Sequence, residues 1–201
     1  MVPDIVMLDE PHPRPPATLA EIERATRAIG FEMASDAELG SLLRSLAASK
    51  PKSGLLELGT GTGLSTAWLV DGMDSDSTLL TIDCDEKVIA VAQEHLGDDP
   101  RVHFVVADGA DYLPRLLAED RTFALVFADA WAGKYHHLEE ALRSLAVGGI
   151  YVVDDMRPQP NWPEDHPAKV HKLIETLVSH PDLHVTTLDW STGIIIATKV
   201  R

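Results

Sequence analysis

Cysteine is almost missing from this chain: Cys84 is the only one among 201 residues. A single thiol closes no internal disulfide, so the core must hold the fold, and the composition suits a reducing cytoplasm. Bases are scarce as well, 17 Lys and Arg against 32 Asp and Glu, for a formal net charge of −15. Such a surface repels phosphate backbones and argues against a nucleic-acid partner. No apolar run approaches the length of a membrane span. The start, Met1-Val2-Pro3-Asp4, lacks the basic-then-apolar build of a signal peptide. Internal repeats and low-complexity tracts are missing too.

What remains is an ordinary globular composition, 45% hydrophobic, in a chain long enough to bury roughly 70% of its unfolded surface. Pro11, Pro13, Pro15 and Pro16 make residues 1–17 an expected extended arm, and residues 18–201 read as one domain. Two helices come first, over about 18–50. Thr18 and Glu21 suggest a capping box for the first, with Ile22, Ala25 and Ile29 on its buried face. Leu39, Leu42, Leu43 and Leu46 have helical spacing in the second, started by Ser35 or Asp36.

From residue 54 onward strands and helices alternate. Strands are expected at about 54–58, 78–82, 102–106, 122–128 and 148–153, with helices at about 63–72, 85–96, 110–118 and 135–146 between them. Runs such as Phe123-Ala124-Leu125-Val126-Phe127 have the continuous apolarity of parallel strands covered on both faces. A helix at about 166–179 and strands at 183–189 and 193–199 follow, the last two joined as a hairpin through Ser191-Thr192-Gly193. The pattern predicts a Rossmann-like, doubly wound α/β sheet with an antiparallel C-terminal strand.

Leu55-Leu56-Glu57-Leu58-Gly59-Thr60-Gly61-Thr62-Gly63 is the most telling segment, an apolar strand that runs into a glycine-rich turn. Glycine lets a backbone bend tightly and a ligand approach its amides. The dinucleotide pattern G-x-G-x-x-G places its third glycine at position 64, which here is Leu64. Glu57 would repel a pyrophosphate but would pair with the ammonium of an amino-acid-like ligand. Together with Asp83, 20 residues beyond Gly63, it favours S-adenosylmethionine over NAD as the cofactor. Asp83 can accept from ribose hydroxyls or cap the helix over 85–96. Ser65 and the amides of Gly61 and Gly63 can hold a carboxylate at a helix N-terminus. Asp108-Gly109-Ala110 would lie near an adenine, or form a turn that caps a helix.

Ligands of open α/β sheets sit beyond the carboxyl ends of the strands, and those ends here carry acids. Asp129, Asp154 and Asp155 converge if the fourth and fifth strands are neighbours. Two carboxylates about 4 Å apart repel by roughly 4 kcal/mol at an effective dielectric near 20. A hard divalent cation such as Mg²⁺ would relieve this and lower the pKa of an acceptor hydroxyl, although capping roles explain the same acids. Trp131 can face a sulfonium or form a core wall. Lys134, His136 and His137 begin the expected helix as general bases or as a solvated helix start. Four prolines and Trp162 within residues 156–168 suggest a stiff lid, with His166 inside it.

These motifs resemble the cation-dependent O-methyltransferases, the family of catechol and caffeoyl-CoA O-methyltransferases, over about residues 31–199. The segment from Leu56 to Ser65 is similar to their cofactor loop, Phe127-Ala128-Asp129-Ala130-Trp131-Ala132-Gly133-Lys134-Tyr135 to their fourth-strand motif, and Val153-Asp154-Asp155 to their metal-binding Asp-Asn pair. Phe31-Glu32-Met33 is similar to the upstream segment that touches the cofactor. The resemblance implies a seven-stranded sheet, S-adenosylmethionine, Mg²⁺ or another divalent cation, a small hydroxylated acceptor and a homodimer. It implies cofactor contacts from Met33, Glu57, Gly59, Thr60, Gly61, Gly63, Ser65, Asp83, Asp108, Gly109, Ala110, Asp129 and Trp131, and metal ligation by Asp129, Asp154 and Asp155. Asp129, Lys134 and His137 are the candidate catalytic residues. Two departures stand out. Ala132 occupies the family's lysine position, with Lys134 two residues late, which turns a side chain about 200° on a regular helix. Asp155 stands where the family has Asn. A cofactor-binding protein without methyl transfer and an NAD-dependent oxidoreductase are the rival readings.

Overall fold

Side-chain parity along the central strands sorts the core into two layers. Leu125 and Phe127 pack with Leu39, Leu43, Leu55 and Leu69, while Val126 and Ala128 pack with Leu56, Leu58, Leu113 and Leu116 on the opposite face. This alternation is what a pleated strand buried on both sides requires. The protein is described by a computed structural model over residues 14–159 and 162–201. Residues 1–13 of the expected arm and 160–161 of the expected lid lie outside the described residues.

One sheet holds seven strands: β1 (Gly54–Leu58), β2 (Thr78–Asp83), β3 (Val102–Val106), β4 (Phe123–Ala128), β5 (Leu145–Val153), β6 (Leu183–Leu188) and β7 (Ile194–Lys199). Their order is β3-β2-β1-β4-β5-β7-β6. Pairings from β3 through β5 are parallel, and β7 runs antiparallel to both β5 and β6. The seven-stranded, mostly parallel sheet of the sequence reading is the sheet observed. Chain order reverses between β1 and β4, the switch point at which open α/β sheets bind ligands.

The helices are α1 (Leu19–Ala28), α2 (Ala37–Ala48), α3 (Leu64–Gly72), α4 (Glu86–Leu96), α5 (Gly109–Ala118), the single turn α6 (Trp131–Lys134), α7 (Leu138–Arg143) and α8 (His166–Ser179). Asp36 caps α2 by accepting from Leu39 N at 2.8 Å. The capping box expected at Thr18 does not form: Thr18 is itself helical and its side chain makes no capping bond. The buried face of α1 is Leu19, Ile22 and Thr26, and Ile29 is exposed. Thr26 belongs there because its hydroxyl bonds Ile22 O at 2.7 Å and Thr62 Oγ1 at 2.8 Å, so burial leaves no polar atom unpaired.

The larger correction concerns the helix expected over 135–146. Only α7 falls within that span: His137 stands at φ 55° before it and β5 begins at Leu145 after it, while the chain just ahead forms the kinked turn α6, with Ala132 extended (ψ 132°) and Gly133 at φ 86°. A Cβ on Gly133 would lie 2.6 Å from Leu58 Cδ1 and 3.0 Å from Tyr151 Oη, so close packing against β1 and β5 demands glycine here. Helical periodicity carries no sign of such a kink.

Candidate active site

The exits of β1 and β4 are tied together. Asp129 N donates to Leu58 O at 2.8 Å, and a Cβ on Gly59, at φ 102°, would stand 2.6 Å from Asp129 O. The glycine turn therefore serves close approach of two strand ends as well as any ligand. Above this junction opens a cavity of about 400 Å³, within the size range of small-molecule sites. One end is lined by Met33, Gly59, Thr60, Gly61 and Ser65, the other by Asp129, Lys134, Asp154 and Asp155, and Trp131, Trp162 and His166 wall it.

Strand parity aims Glu57 at the α3 side of the sheet, where it is fully buried. Its Oε2 accepts from Thr66 Oγ1 and Thr81 Oγ1, both at 2.6 Å. Its Oε1 is buried without a partner among the described residues. Burial pushes this carboxyl up to about 7, against the hydroxyls of Thr66, Thr81 and Ser65 and with the help of the Asp129 charge. A buried acceptor with no donor is a costly feature in a folded protein and the mark of a group that awaits one.

Several predicted contacts sit elsewhere. The amides of Gly61 and Gly63 are already engaged, by Asp83 Oδ2 at 2.8 Å and by Thr60 O at 3.0 Å. Glu57, Gly63, Asp83 and the segment Asp108-Gly109-Ala110 do not line the cavity. Asp83 stiffens the glycine turn, while Asp85 caps α4. Asp108 caps α5 through Ala110 N at 2.8 Å, the alternative its sequence left open. His137 is exposed at the start of α7 and does not reach the cavity.

The carboxylates do converge. Oxygen atoms of Asp129, Asp154 and Asp155 lie within 4.8 Å of one another, because β4 and β5 pair in register, Ala128 opposite Val153. Asp154 accepts from Thr192 Oγ1 in the turn before β7. Burial, then the charge of Asp129, pushes its carboxyl up to about 7. Asp129 is raised too, by burial against the opposing ammonium of Lys134, whose Nζ stands 3.1 Å from Asp129 Oδ1. Burial works against the Lys134 charge, but Asp129, Asp155 and Asp154 outweigh it and raise the pKa. The set is all-oxygen and anionic, suited to a hard cation.

Sequence reasoning gave Tyr135 and Thr192 no role in the site and Asp36 only that of a helix start. Tyr135 Oη bonds His166 Nε2 at 3.1 Å, and Ser191 Oγ bonds Asp36 Oδ2 at 2.5 Å, fastening the β6–β7 turn to the cap of α2. Only the turn motif Ser191-Thr192-Gly193 hinted at this contact. Trp131 is a cavity wall rather than core: it is 46% exposed, with Lys169 Nζ 4.5 Å from its ring centroid.

Comparison with known proteins agrees with this arrangement. Residues 56–156 match the model of a methyltransferase-domain family. A Mycobacterium leprae protein provisionally named an O-methyltransferase is 32% identical over 142 residues, 68% of this chain and 62% of that protein. A catechol O-methyltransferase of Niastella koreensis is 32% identical over 122 residues, 58% of this chain and 55% of that protein. The chain thus spans less than two thirds of the length of these relatives. Among solved structures, the O-methyltransferase TomG of Streptomyces achromogenes, crystallised with S-adenosylmethionine, superposes with a TM-score of 0.81 at 25% identity, covering 94% of this chain and 92% of its own.

Proposed function

The chain belongs to the methyltransferase-domain family, and we propose that it is an S-adenosylmethionine-dependent O-methyltransferase acting on a small hydroxylated molecule. One observation carries the reading: a single cavity joins the glycine turn at Gly59, Thr60 and Gly61 to the three-carboxylate cluster, with Glu57 buried outside its lining. The orphaned Glu57 Oε1 suits the ammonium of the cofactor's methionine end, close to Thr60 and Ser65, and Met33 and Trp131 flank the space. S-adenosylmethionine supplies an electrophilic methyl group on sulfonium.

At the other end Asp129, Asp154 and Asp155 would hold a divalent cation, whose contribution is Lewis acidity towards the acceptor oxygen. Lys134, kept protonated by the carboxylates around it, places an ammonium where an ionised acceptor oxygen needs positive charge. It acts as an electrostatic partner in this arrangement, and Asp129 orients it. Trp131 and Trp162 exclude water and confine the acceptor against the cluster. No helix among the described residues is long and apolar enough to cross a membrane. A cytoplasmic site and a homodimer complete the proposal.

Calorimetry with S-adenosylhomocysteine tests the first half, and no binding at millimolar ligand overturns it. Methyl transfer from S-adenosylmethionine to catechols, with and without Mg²⁺, tests the second. A protein that binds the nucleoside yet methylates no diol or phenol is a binding protein only.

A further inference from the structure

The proposed reaction leaves one buried polar group on the lid side without a role. His166 opens α8 at 7% exposure, its ring centroid 4.5 Å from that of Trp162 and 5.9 Å from that of Trp131. These neighbours pin the imidazole. Its Nε2 meets Tyr135 Oη at 3.1 Å, and its Nδ1 is buried with no partner among the described residues. Burial and the charges of Lys134 and Lys169 lower its pKa against the pull of Asp165, so the ring is neutral at neutral pH and carries one proton.

The site of that proton decides what Tyr135 does. On Nδ1 it would leave a buried N–H donor without an acceptor, a costlier defect than an idle lone pair. The proton therefore sits on Nε2 and is donated to Tyr135 Oη. The tyrosine's own O–H is then left without an acceptor among the described residues. Tyr135 lines the cavity beside Lys134 and Asp155. Burial first, then Asp155 and Asp129, hold its pKa above the ordinary phenol value despite Lys134, so it remains a donor.

We infer that Tyr135 is a specificity-determining hydrogen-bond donor, positioned by His166, for an acceptor that carries a carbonyl or ether oxygen besides the hydroxyl to be methylated. A carbonyl or ether oxygen accepts from the phenol without adding charge to a site that holds three carboxylates, the Lys134 ammonium and, on the reading above, a divalent cation. The inference rests on the O-methyl-transfer reading above for the identity of the reacting group.

Matched acceptors test it: 2,3- and 3,4-dihydroxyacetophenone against 3- and 4-methylcatechol, on the full chain with S-adenosylmethionine and Mg²⁺. Tyr135→Phe raises KM for at least one dihydroxyacetophenone about fivefold and leaves both methylcatechols within about twofold. His166→Gln, whose amide nitrogen reaches the place of Nε2, keeps most of the discrimination, whereas His166→Leu loses it. Equal effects on both members of each pair, or no effect, overturn the inference. Calorimetry of the same four acceptors on the S-adenosylhomocysteine-loaded protein repeats the comparison without turnover. Absence of methyl transfer therefore sinks the reaction, while the Tyr135 preference stands or falls by Kd, and failure of all four to bind overturns it as well.

Discussion

Lys134 Nζ donates to Asp129 Oδ1 at 3.1 Å although five residues separate the two along the chain. The left-handed Gly133 makes this possible. It reverses the backbone between them, so a lysine that a regular helix would turn away is buried at the carboxylate cluster.

Removing that ammonium should be expensive. Lys134→Met leaves three neighbouring carboxylates with no fixed positive charge, and breaking one partner from a buried pair typically costs about 3–5 kcal/mol. Thermal unfolding in EDTA reports the loss. Millimolar Mg²⁺ should restore more stability to the variant than it adds to the wild type. An unchanged midpoint in EDTA would show that the pair does not hold the cluster.

Gly133→Ala should destabilise by about 2–4 kcal/mol, from backbone strain at positive φ together with overpacking against Leu58 and Tyr151. Gly148→Ala is the control. Its φ is also positive, at 78°, but a Cβ there meets nothing within 4 Å, so only the strain is felt. Chemical denaturation of the two variants separates the contributions, and equal losses would remove the packing argument.

Glu57 makes stability depend on pH. Its folded pKa lies near 7, against 4.5 for an unperturbed glutamate, so between those values the folded state holds a proton that the unfolded chain has released. Stability is then highest below about pH 4.5 as far as this group is concerned and falls as pH rises to 7, by about 3 kcal/mol. Glu57→Gln should flatten the part of the urea-midpoint profile between pH 5 and 7 that this residue contributes, leaving the slope due to the raised carboxyls of Asp129 and Asp154. It should also weaken S-adenosylhomocysteine binding by roughly 10–100-fold, the loss of one charge-assisted hydrogen bond. Unaltered affinity would mean that the orphaned oxygen does not meet the ligand's ammonium.

Asp155→Asn should act on the cation and on the free protein in opposite directions. Without metal, one fewer carboxylate relieves repulsion and raises the melting temperature. With Mg²⁺, the site binds more weakly, because a neutral amide oxygen replaces a charged ligand. Calorimetric titration with Mg²⁺ checks the second effect, and equal affinity in both proteins would place the ion elsewhere.

Element boundaries were largely legible in the residues. Apolar runs marked β1 to β4, and Ser191-Thr192-Gly193 marked the turn before β7, because each is a local preference of strand or turn. The acids at strand ends were equally legible, since a sheet brings the carboxyl ends of parallel strands to one rim. The roles of Asp83 and Asp108 were not, because an acid after a strand serves a helix cap or a ligand with the same spacing.

The sequence by itself determined the strand-helix alternation, the glycine turn, the acid inside β1 and the acids at the strand ends, all of which follow from periodicity and chain direction; that Asp129, Asp154 and Asp155 gather needed β4 and β5 to be neighbours. Only the tertiary structure decided that Lys134 joins those acids, that His137 does not, and that Tyr135 and His166 pair across the cavity. Those outcomes hang on one left-handed glycine wedged between Leu58 and Tyr151, and on the packing of α8 over Trp131. Contacts between residues far apart in the chain choose such conformations, and local preference does not encode them.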